Sequence, residues 1–199
     1  MTLFMSNTHQ NIYLATVTLI CVSIMLLPTH IREGLYLNIA LAQQGEYWRY
    51  ITGHFAHYSW LHCISNLFGL YLLFRLFKLS EDYRHWLIAT SLIIGFVSFG
   101  LALSSETLKW YVGFSGVLTG LLVYASVRTF SQNAILSITF LLVIVTYVFN
   151  QALFGGELIR STMFSEVQTS SYAHAYGLIG GLLYGVSYTV KHHIDLNFK

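Results

Sequence analysis

The sequence predicts an all-α polytopic membrane protein, a bundle of six transmembrane helices that forms a single domain over residues 1–199. Of its 199 residues, 55% are hydrophobic and only 9% are charged, whereas an ordinary soluble domain has roughly 25% charged residues. A membrane span needs about 20 mostly apolar residues. Six stretches qualify, at 11–28, 57–78, 84–104, 113–128, 133–154 and 171–191. They use most of the chain, so we expect no separate soluble domain.

The first span is predicted to be a retained helix and not a signal peptide. Its flank, residues 1–10, carries no Lys or Arg, and no A-x-A-like cleavage site follows the apolar run. The single proline, Pro28, stands where the span is expected to end. The two cysteines, Cys21 and Cys63, lie in apolar spans and are interpreted as small packing residues. The net charge of +2 is too small to indicate nucleic-acid binding.

The connections between the other spans and their basic residues predict the orientation. A cytoplasmic N-terminus places six of the ten basic residues on the inner side, which the positive-inside rule favours. These six are Arg75, Lys78, Arg84, Arg128, Lys191 and Lys199, and the outer four are Arg32, Arg49, Lys109 and Arg160. The outer connections, 29–56 and 155–170, are long, while the inner ones are tight turns. We therefore expect the substrate-handling loops on the outer side.

Polar residues inside the spans are the functional candidates, because such groups are costly in a bilayer. His62 and Asn66 are four residues apart, which on a helix is a rotation of about 40°, so they share a face. His57 would lie about 140° from His62 on that helix and is expected to have a structural role. His54 is expected at the membrane interface. His62 and Asn66 also suit interhelical hydrogen bonding, and this reading stays open.

Glycines in the fourth and sixth spans predict a close helix–helix contact. The G-x-x-x-G pairs are Gly116–Gly120, Gly177–Gly181 and Gly181–Gly185. Such pairs let membrane helices approach closely. His174 shares a face with Gly177, three residues later. Close approach of these two spans would therefore bring Ser115 to His174.

A serine and a histidine in these positions suit nucleophilic catalysis. A serine hydroxyl becomes a good nucleophile when a histidine accepts its proton. Ser115 begins the fourth span, where a helix N-terminus offers free backbone N–H groups. The side chains of His62 and Asn66 are further donors for an oxyanion.

The predicted catalytic unit is a Ser-His dyad without a carboxylate. The only aspartates, Asp82 and Asp195, fall on the inner side by this topology. We therefore expect packing, and not a carboxylate, to orient His174.

Two other interpretations were weighed. In the first, His54, His57, His62 and His174 hold a metal or haem, but their spacing scatters the rings around a helix and leaves Ser115 idle. In the second, the protein binds membrane helices without catalysis, although it has both the serine and the histidine. The preferred interpretation needs no metal and no cofactor.

Four motifs together resemble the rhomboid family of intramembrane serine proteases. They are WR at Trp48 and Arg49, H-x4-H-x3-N at His57, His62 and Asn66, GFSG at Gly113 to Gly116, and AHAYGLIGG at Ala173 to Gly181. The resemblance implies that Ser115 is the nucleophile and His174 the general base. It implies that His62, Asn66 and the Ser115 N–H bind the oxyanion, and that the active site opens outward. It also implies supporting roles near the site for Gly113, Gly116, Gly177, Gly181, His57, Trp48 and Arg49.

Within that family, WRYITGHFAHYSWLHCISN, GFSGVLTGLL and the short length are most similar to the rhombosortase branch. This similarity implies a protein of the bacterial cytoplasmic membrane. Its substrates would be single-pass membrane proteins with a C-terminal Gly-Gly-containing segment, a membrane helix and a basic tail. The chain departs from many rhomboids at Thr119, where they place an aromatic residue near the catalytic histidine. Tyr172 and Tyr176 are therefore candidates for contact with His174.

Hydrolysis inside a membrane requires a polar cavity, which we expect near the outer surface. The outer segment 155–170 is either a lid over this cavity, with Gly155 and Gly156 as a hinge and Met163 and Phe164 as an apolar plug, or an ordinary connection. The substrate helix must also unwind, so small or Gly-rich residues are expected near the scissile bond.

Overall fold

The computed structural model describes residues 2–77, 79–104, 110–154 and 171–197. Within these ranges the chain forms nine helices and no β-strand. They are α1 (Thr2–Met25), α2 (Thr29–Glu33), α3 (Ile39–Gln43), α4 (Arg49–Thr52), α5 (Trp60–Leu76), α6 (Tyr83–Ser104), α7 (Ser115–Thr129), α8 (Ala134–Phe154) and α9 (Ser171–Asn197). The all-helical class is therefore confirmed for the described residues.

Two helices among the described residues are long and apolar enough to cross a membrane. They cover Tyr83–Ser104, which is α6, and Ala134–Leu153 in α8. A third, Trp60–Leu76, is apolar but shorter. Only 17% of the α8 segment is buried inside the protein, against 44% for α6. Most of the apolar surface of α8 therefore faces outward, as in a helix surrounded by lipid. The number of spans, six, stays a prediction.

The second predicted span begins later than the sequence indicates. The helix starts at Trp60 because Ser59 is its N-cap, with the Ser59 hydroxyl accepting a hydrogen bond from the His62 N–H at 3.2 Å. His57 therefore precedes α5 and is not part of it. The helical rotation that predicted a different direction for His57 does not apply, and that expectation is wrong.

Helices α7 and α9 make the most extensive helix–helix contact in the described chain. Their glycines allow the two backbones to touch. A Cβ atom on Gly177 would lie 2.0 Å from the Gly116 carbonyl oxygen, and one on Gly181 would lie 2.1 Å from the Gly120 carbonyl oxygen. No real Cβ can approach a backbone oxygen so closely. Only glycine permits this separation, and the contact aligns the start of α7 with the start of α9.

The connection that follows α1 folds over the start of α7. Leu37 and Tyr111 form an antiparallel bridge, with hydrogen bonds of 3.0 Å and 2.8 Å between their backbones. The Gly113 N–H donates to the Gly53 carbonyl at 3.0 Å. The segment in front of Ser115 is thus held by two separate backbone attachments.

Polar contacts attach helix α1 to α6 and to the connection between α5 and α6. The Tyr13 hydroxyl is hydrogen-bonded to Thr90 of α6, and the Gln10 side chain donates to the Leu79 carbonyl at 2.7 Å. Cys21 and Cys63 are both free thiols with 0% exposure, as the sequence predicts. The face of α1 that points away from the other helices carries exposed apolar residues, such as Leu19 with 69% exposure, which suits a lipid environment.

The α7–α9 contact predicts how two Gly→Ala variants should differ. Gly177→Ala should lower the free energy of unfolding by about 1 to 3 kcal/mol, because its Cβ meets backbone and no side-chain rotation relieves the overlap. The matched control is Gly95→Ala in α6, whose Cβ would meet nothing within 4 Å. Thermal unfolding of both variants in detergent is the measurement. Equal unfolding temperatures for the two would contradict the close contact.

Candidate active site

Ser115 and His174 meet at the N-terminal ends of two helices. Ser115 is the first residue of α7, and His174 lies in the first turn of α9. The Ser115 Oγ is 2.9 Å from the His174 Nε2. His174 is buried, with 3% exposure, whereas Ser115 is half-buried. A hydroxyl in this position can pass its proton to the imidazole while a reacting group approaches from its open side.

The second nitrogen of His174 contacts Gln151 of α8. His174 Nδ1 is 2.7 Å from the Gln151 Oε1, and the Gln151 Nε2 donates to the Tyr147 hydroxyl at 2.8 Å. The Tyr147 ring also packs edge-on against the imidazole, with centroids 5.2 Å apart. Because Gln151 is one helical turn from Tyr147, one face of α8 supplies both contacts.

These contacts assign the tautomer of His174. An amide oxygen only accepts hydrogen bonds, so the neutral imidazole must carry its proton on Nδ1 and donate it to Gln151. The Nε2 lone pair is then free to accept from the Ser115 hydroxyl. This is the tautomer that a general base for Ser115 requires.

His62 and Asn66 supply unpaired donors beside the same turn. Both are buried, with 7% and 5% exposure. Neither ring nitrogen of His62 nor the Asn66 Nδ2 has a hydrogen-bond partner among the described residues. A buried donor without a partner costs stability unless another group accepts its hydrogen bond. A negatively charged oxygen placed between them and the Ser115 N–H would do so.

Gly113 brings the serine turn against these donors. Its φ of +117° is a conformation that other residues rarely adopt. A Cβ at this position would lie 2.6 Å from the His62 Cε1 and 3.7 Å from the Asn66 Nδ2. The Tyr111 hydroxyl donates to the Gly113 carbonyl at 2.8 Å and holds the turn in place. Glycine is therefore required here by both backbone angle and space.

His57 also reaches this turn, although its predicted helical position pointed it away from His62. Its Nε2 accepts a long hydrogen bond of 3.5 Å from the Phe114 N–H, and its Nδ1 donates to the Phe55 carbonyl at 3.1 Å. The His57 and His62 rings pack edge-on with centroids 4.9 Å apart. His57 thus supports both the residue before Ser115 and one of the two side-chain donors.

His54 is buried and is not at the interface, so that expectation is wrong. It has 0% exposure and lies in the connection between α4 and α5. The Ser98 hydroxyl donates to the Tyr50 carbonyl at 2.6 Å, so the His54 Nε2 must donate to the Ser98 Oγ at 2.9 Å. Burial lowers the pKa of His54 to about 3, which keeps the ring neutral. His54 thereby joins this connection to α6.

Trp48 and Arg49 hold the connection that covers the site. Arg49 is 6% exposed and forms an ion pair with Glu46 at 2.5 Å. Its guanidinium also donates to the backbone carbonyls of Glu33 at 3.1 Å and Tyr36 at 2.7 Å. Trp48 is half-exposed and donates its indole N–H to the Gly34 carbonyl at 3.2 Å. Both side chains fasten the backbone of the 29–56 connection and do not contact Ser115.

The sequence candidates for contact with His174 lie elsewhere. The Tyr176 hydroxyl pairs with the Ser104 hydroxyl at 2.6 Å, and Tyr172 is 52% exposed. The Thr119 hydroxyl donates to the Ser115 carbonyl at 2.9 Å within α7. Tyr147, on a different helix, provides the aromatic contact. The suggested lid, 155–170, lies outside the described residues.

Sequence reasoning missed Gln151, although one signal was present. Intramembrane polar residues are functional candidates, and Gln151 stands in the fifth predicted span with Asn150 beside it. Unlike His62 and Asn66, this amide has no strongly polar residue one turn away, only Tyr147, to mark a shared polar face. Its partner is 23 positions away, so no local spacing links Gln151 to His174.

The chain matches a known protein family. A family model described as the Rhomboid domain matches residues 44–191, from the turn after α3 into α9. This range contains Ser115, His174 and the side chains that surround them: His57, His62, Asn66, Tyr147 and Gln151. No curated protein matches the chain.

Proposed function

Because this chain belongs to the rhomboid family, known for intramembrane serine proteases that act on membrane-protein substrates, we propose that it cleaves membrane-anchored proteins with a Ser115–His174 dyad. The observation that carries the proposal is the 2.9 Å contact between the Ser115 Oγ and the His174 Nε2. The contact lies at a helix N-terminus, where backbone N–H groups are free.

Acylation would proceed in two steps at this contact. The Ser115 Oγ attacks the carbonyl carbon of the scissile peptide bond while the His174 Nε2 takes the hydroxyl proton. The resulting tetrahedral oxyanion accepts hydrogen bonds from His62, Asn66 and the Ser115 N–H. His174 then gives its proton to the leaving nitrogen, the C–N bond breaks, and the first product departs as an amine.

Deacylation uses the same groups, with water as the nucleophile and the Ser115 Oγ as the leaving group. Water gives a proton to the His174 Nε2 and its oxygen attacks the ester carbonyl on Ser115. The ester bond breaks, and Ser115 recovers its proton from the imidazole. Because Ser115 is half-buried and not enclosed, the approach of water from the outer end of α7 is compatible with the geometry.

Gln151 would act as a positioning residue in both steps. It holds the His174 Nδ1 proton and so keeps the Nε2 lone pair directed at Ser115. A neutral amide suits a site among membrane helices, since an ionised carboxylate there would be costly to bury. The amide stabilises the imidazolium less than a carboxylate would, so orientation is its main contribution.

The membrane arrangement supports this chemistry. We propose six spans in one domain, with a cytoplasmic N-terminus and with Ser115 near the outer surface of the bacterial cytoplasmic membrane. The apolar α6 and α8 support the membrane spans. The excess of basic residues on the inner side supports the orientation. Water from the outer side would then reach the site without crossing the hydrocarbon region.

The proposed substrates are those of the rhombosortase branch. They would be single-pass proteins with a Gly-Gly-containing segment beside a C-terminal membrane helix. The motifs of the connection before α5 and of the start of α7 support this assignment. Glycine also lowers the cost of unwinding the substrate helix, which must expose its peptide carbonyl to Ser115.

Mapping protein C-termini in cells tests both the dyad and the substrates. Cells with the wild-type protein should contain new C-termini at Gly-Gly segments beside membrane helices, and Ser115→Ala and His174→Ala should lack them. The matched control is Ser126→Ala, a buried serine of the same helix bonded to the Leu122 carbonyl. Persistent cleavage in Ser115→Ala would contradict the nucleophile. Cleavage only at other sequences would contradict the branch.

The oxyanion role of Asn66 has a kinetic signature. Asn66→Ala should lower turnover by roughly a hundredfold because one transition-state donor is lost. The unfolding temperature should change little, since the Asn66 Nδ2 has no partner within the described residues. Asn11→Ala, an exposed position of α1, is the control. A lower unfolding temperature with unchanged turnover would support interhelical hydrogen bonding instead.

Kinetics of Gln151 variants test whether this side chain orients His174. Gln151→Leu should lower turnover by about a hundredfold with KM unchanged, because the imidazole can then rotate away from Ser115. Gln151→Glu keeps an acceptor oxygen and should recover much of the lost turnover. The control is Gln132→Leu, the same change at an exposed position in the α7–α8 turn. Turnover of Gln151→Leu equal to that of Gln132→Leu would refute the positioning role.

A further inference from the structure

A second cavity lies outside the active site, at the same end of the bundle as the start of α7. Its volume is about 260 Å³, and its described lining residues are Glu33, Tyr36, Tyr58 and Trp110. Three of the four are aromatic and the fourth is a carboxylate. Pockets for drug-sized ligands run from about 300 to 1,000 Å³. This cavity therefore suits a smaller group.

The Tyr36 ring stands at a steep angle to each of the other two rings. Tyr36 is the buried member, with 6% exposure, and packs against Tyr58 at 5.4 Å and 76° and against Trp110 at 6.5 Å and 78°. Trp110 is 40% exposed. An aromatic face carries negative charge density, so walls arranged in this way attract a cation.

The rings are fixed by the surrounding fold. The Arg49 guanidinium lies over the Trp110 ring at 5.9 Å and donates to the Tyr36 carbonyl. Tyr58 directly follows His57 and precedes the N-cap of α5, so its backbone is held by the helix start. These contacts hold the backbone of Tyr36 and one face of the Trp110 ring in place before a ligand binds, which favours affinity.

Charge on the lining is negative. Glu33 is exposed, and its carboxylate has no ion-pair partner among the residues that the structure describes. Arg49 forms its ion pair with Glu46, and its guanidinium donates to the backbone carbonyl of Glu33. The cavity thus combines an unpaired carboxylate with aromatic walls, the combination that binds organic ammonium groups.

We propose that Glu33, Tyr36, Tyr58 and Trp110 form an aromatic cage that binds a compact organic ammonium group, such as the trimethylammonium group of choline. The bound group belongs either to a lipid headgroup or to a free solute. The proposal is independent of the proteolytic activity, because none of the four residues contacts Ser115 or His174.

Choline binding to the full chain in dodecyl maltoside, an uncharged detergent, tests the cage. Saturation-transfer NMR of the N-methyl protons is the measurement, and 3,3-dimethylbutan-1-ol, the neutral carbon analogue of choline, is the ligand control. We expect saturable binding of choline and weaker binding of the alcohol. Glu33→Gln should weaken choline binding by about fivefold or more and leave the alcohol unaffected.

Two further variants keep the test independent of folding. Trp110→Leu removes one wall and should weaken choline binding by about fivefold or more. Tyr47→Leu removes a 68% exposed aromatic ring outside the cage and should bind choline as the wild type does. Binding is compared only for variants that unfold at the same temperature as the wild type. Glu33→Gln should meet this condition because Glu33 is exposed.

Vesicles distinguish the two sources of the ammonium group. Choline binding is repeated in phosphatidylglycerol vesicles and in phosphatidylcholine vesicles with the same acyl chains. Binding weakened only in phosphatidylcholine indicates that the lipid headgroup fills the cage, and equal binding in both indicates a free solute. The cage is refuted if choline does not saturate in detergent, if the alcohol binds equally, or if folded Glu33→Gln and Trp110→Leu bind like the wild type.

Discussion

The backbone contact between α7 and α9 is the constraint on which the rest of the site depends. Gly116 and Gly177 touch there without side chains between them, and Gly120 and Gly181 repeat the contact one turn further along. The first turns of both helices are thereby held side by side. Ser115 and His174 stand in those turns, so their hydrogen bond follows from the glycine contact. In a membrane, where apolar side chains gain little by packing against one another instead of lipid, such close backbone packing is a main source of association.

The site places polar groups where burial makes each of them costly without a partner. His174 satisfies both ring nitrogens with neutral partners, Ser115 and Gln151. His57 likewise uses both nitrogens, on Phe55 and Phe114. The donors of His62 and Asn66, which have no partner in the described part of the chain, stand apart from this pattern. Donors that lack a partner in the resting protein destabilise it, but they can stabilise a negative charge that forms only during the reaction.

Much of the site was predictable because its signals are local in sequence. The G-x-x-x-G pairs, the four-residue separation of His62 and Asn66, and Ser115 at a helix start each depend on one helix alone. The bounds of the helices were predicted less accurately where N-caps decide them. With Ser59 as its N-cap, α5 begins at Trp60, three residues after the predicted boundary at 57, which places His57 before the helix and near Ser115. Gln151 was missed because its contact joins two helices, and no periodicity within either helix encodes their relative rotation.

The central claim is that His174 activates Ser115, and covalent labelling with a fluorophosphonate tests it most directly. The adduct is mapped by mass spectrometry in the wild-type protein and in His174→Ala, which leaves the serine itself in place. The account predicts one adduct per chain, on Ser115, and its loss in His174→Ala. No adduct on the folded wild type, an adduct on another serine, or equal labelling of Ser115 without His174 would contradict it.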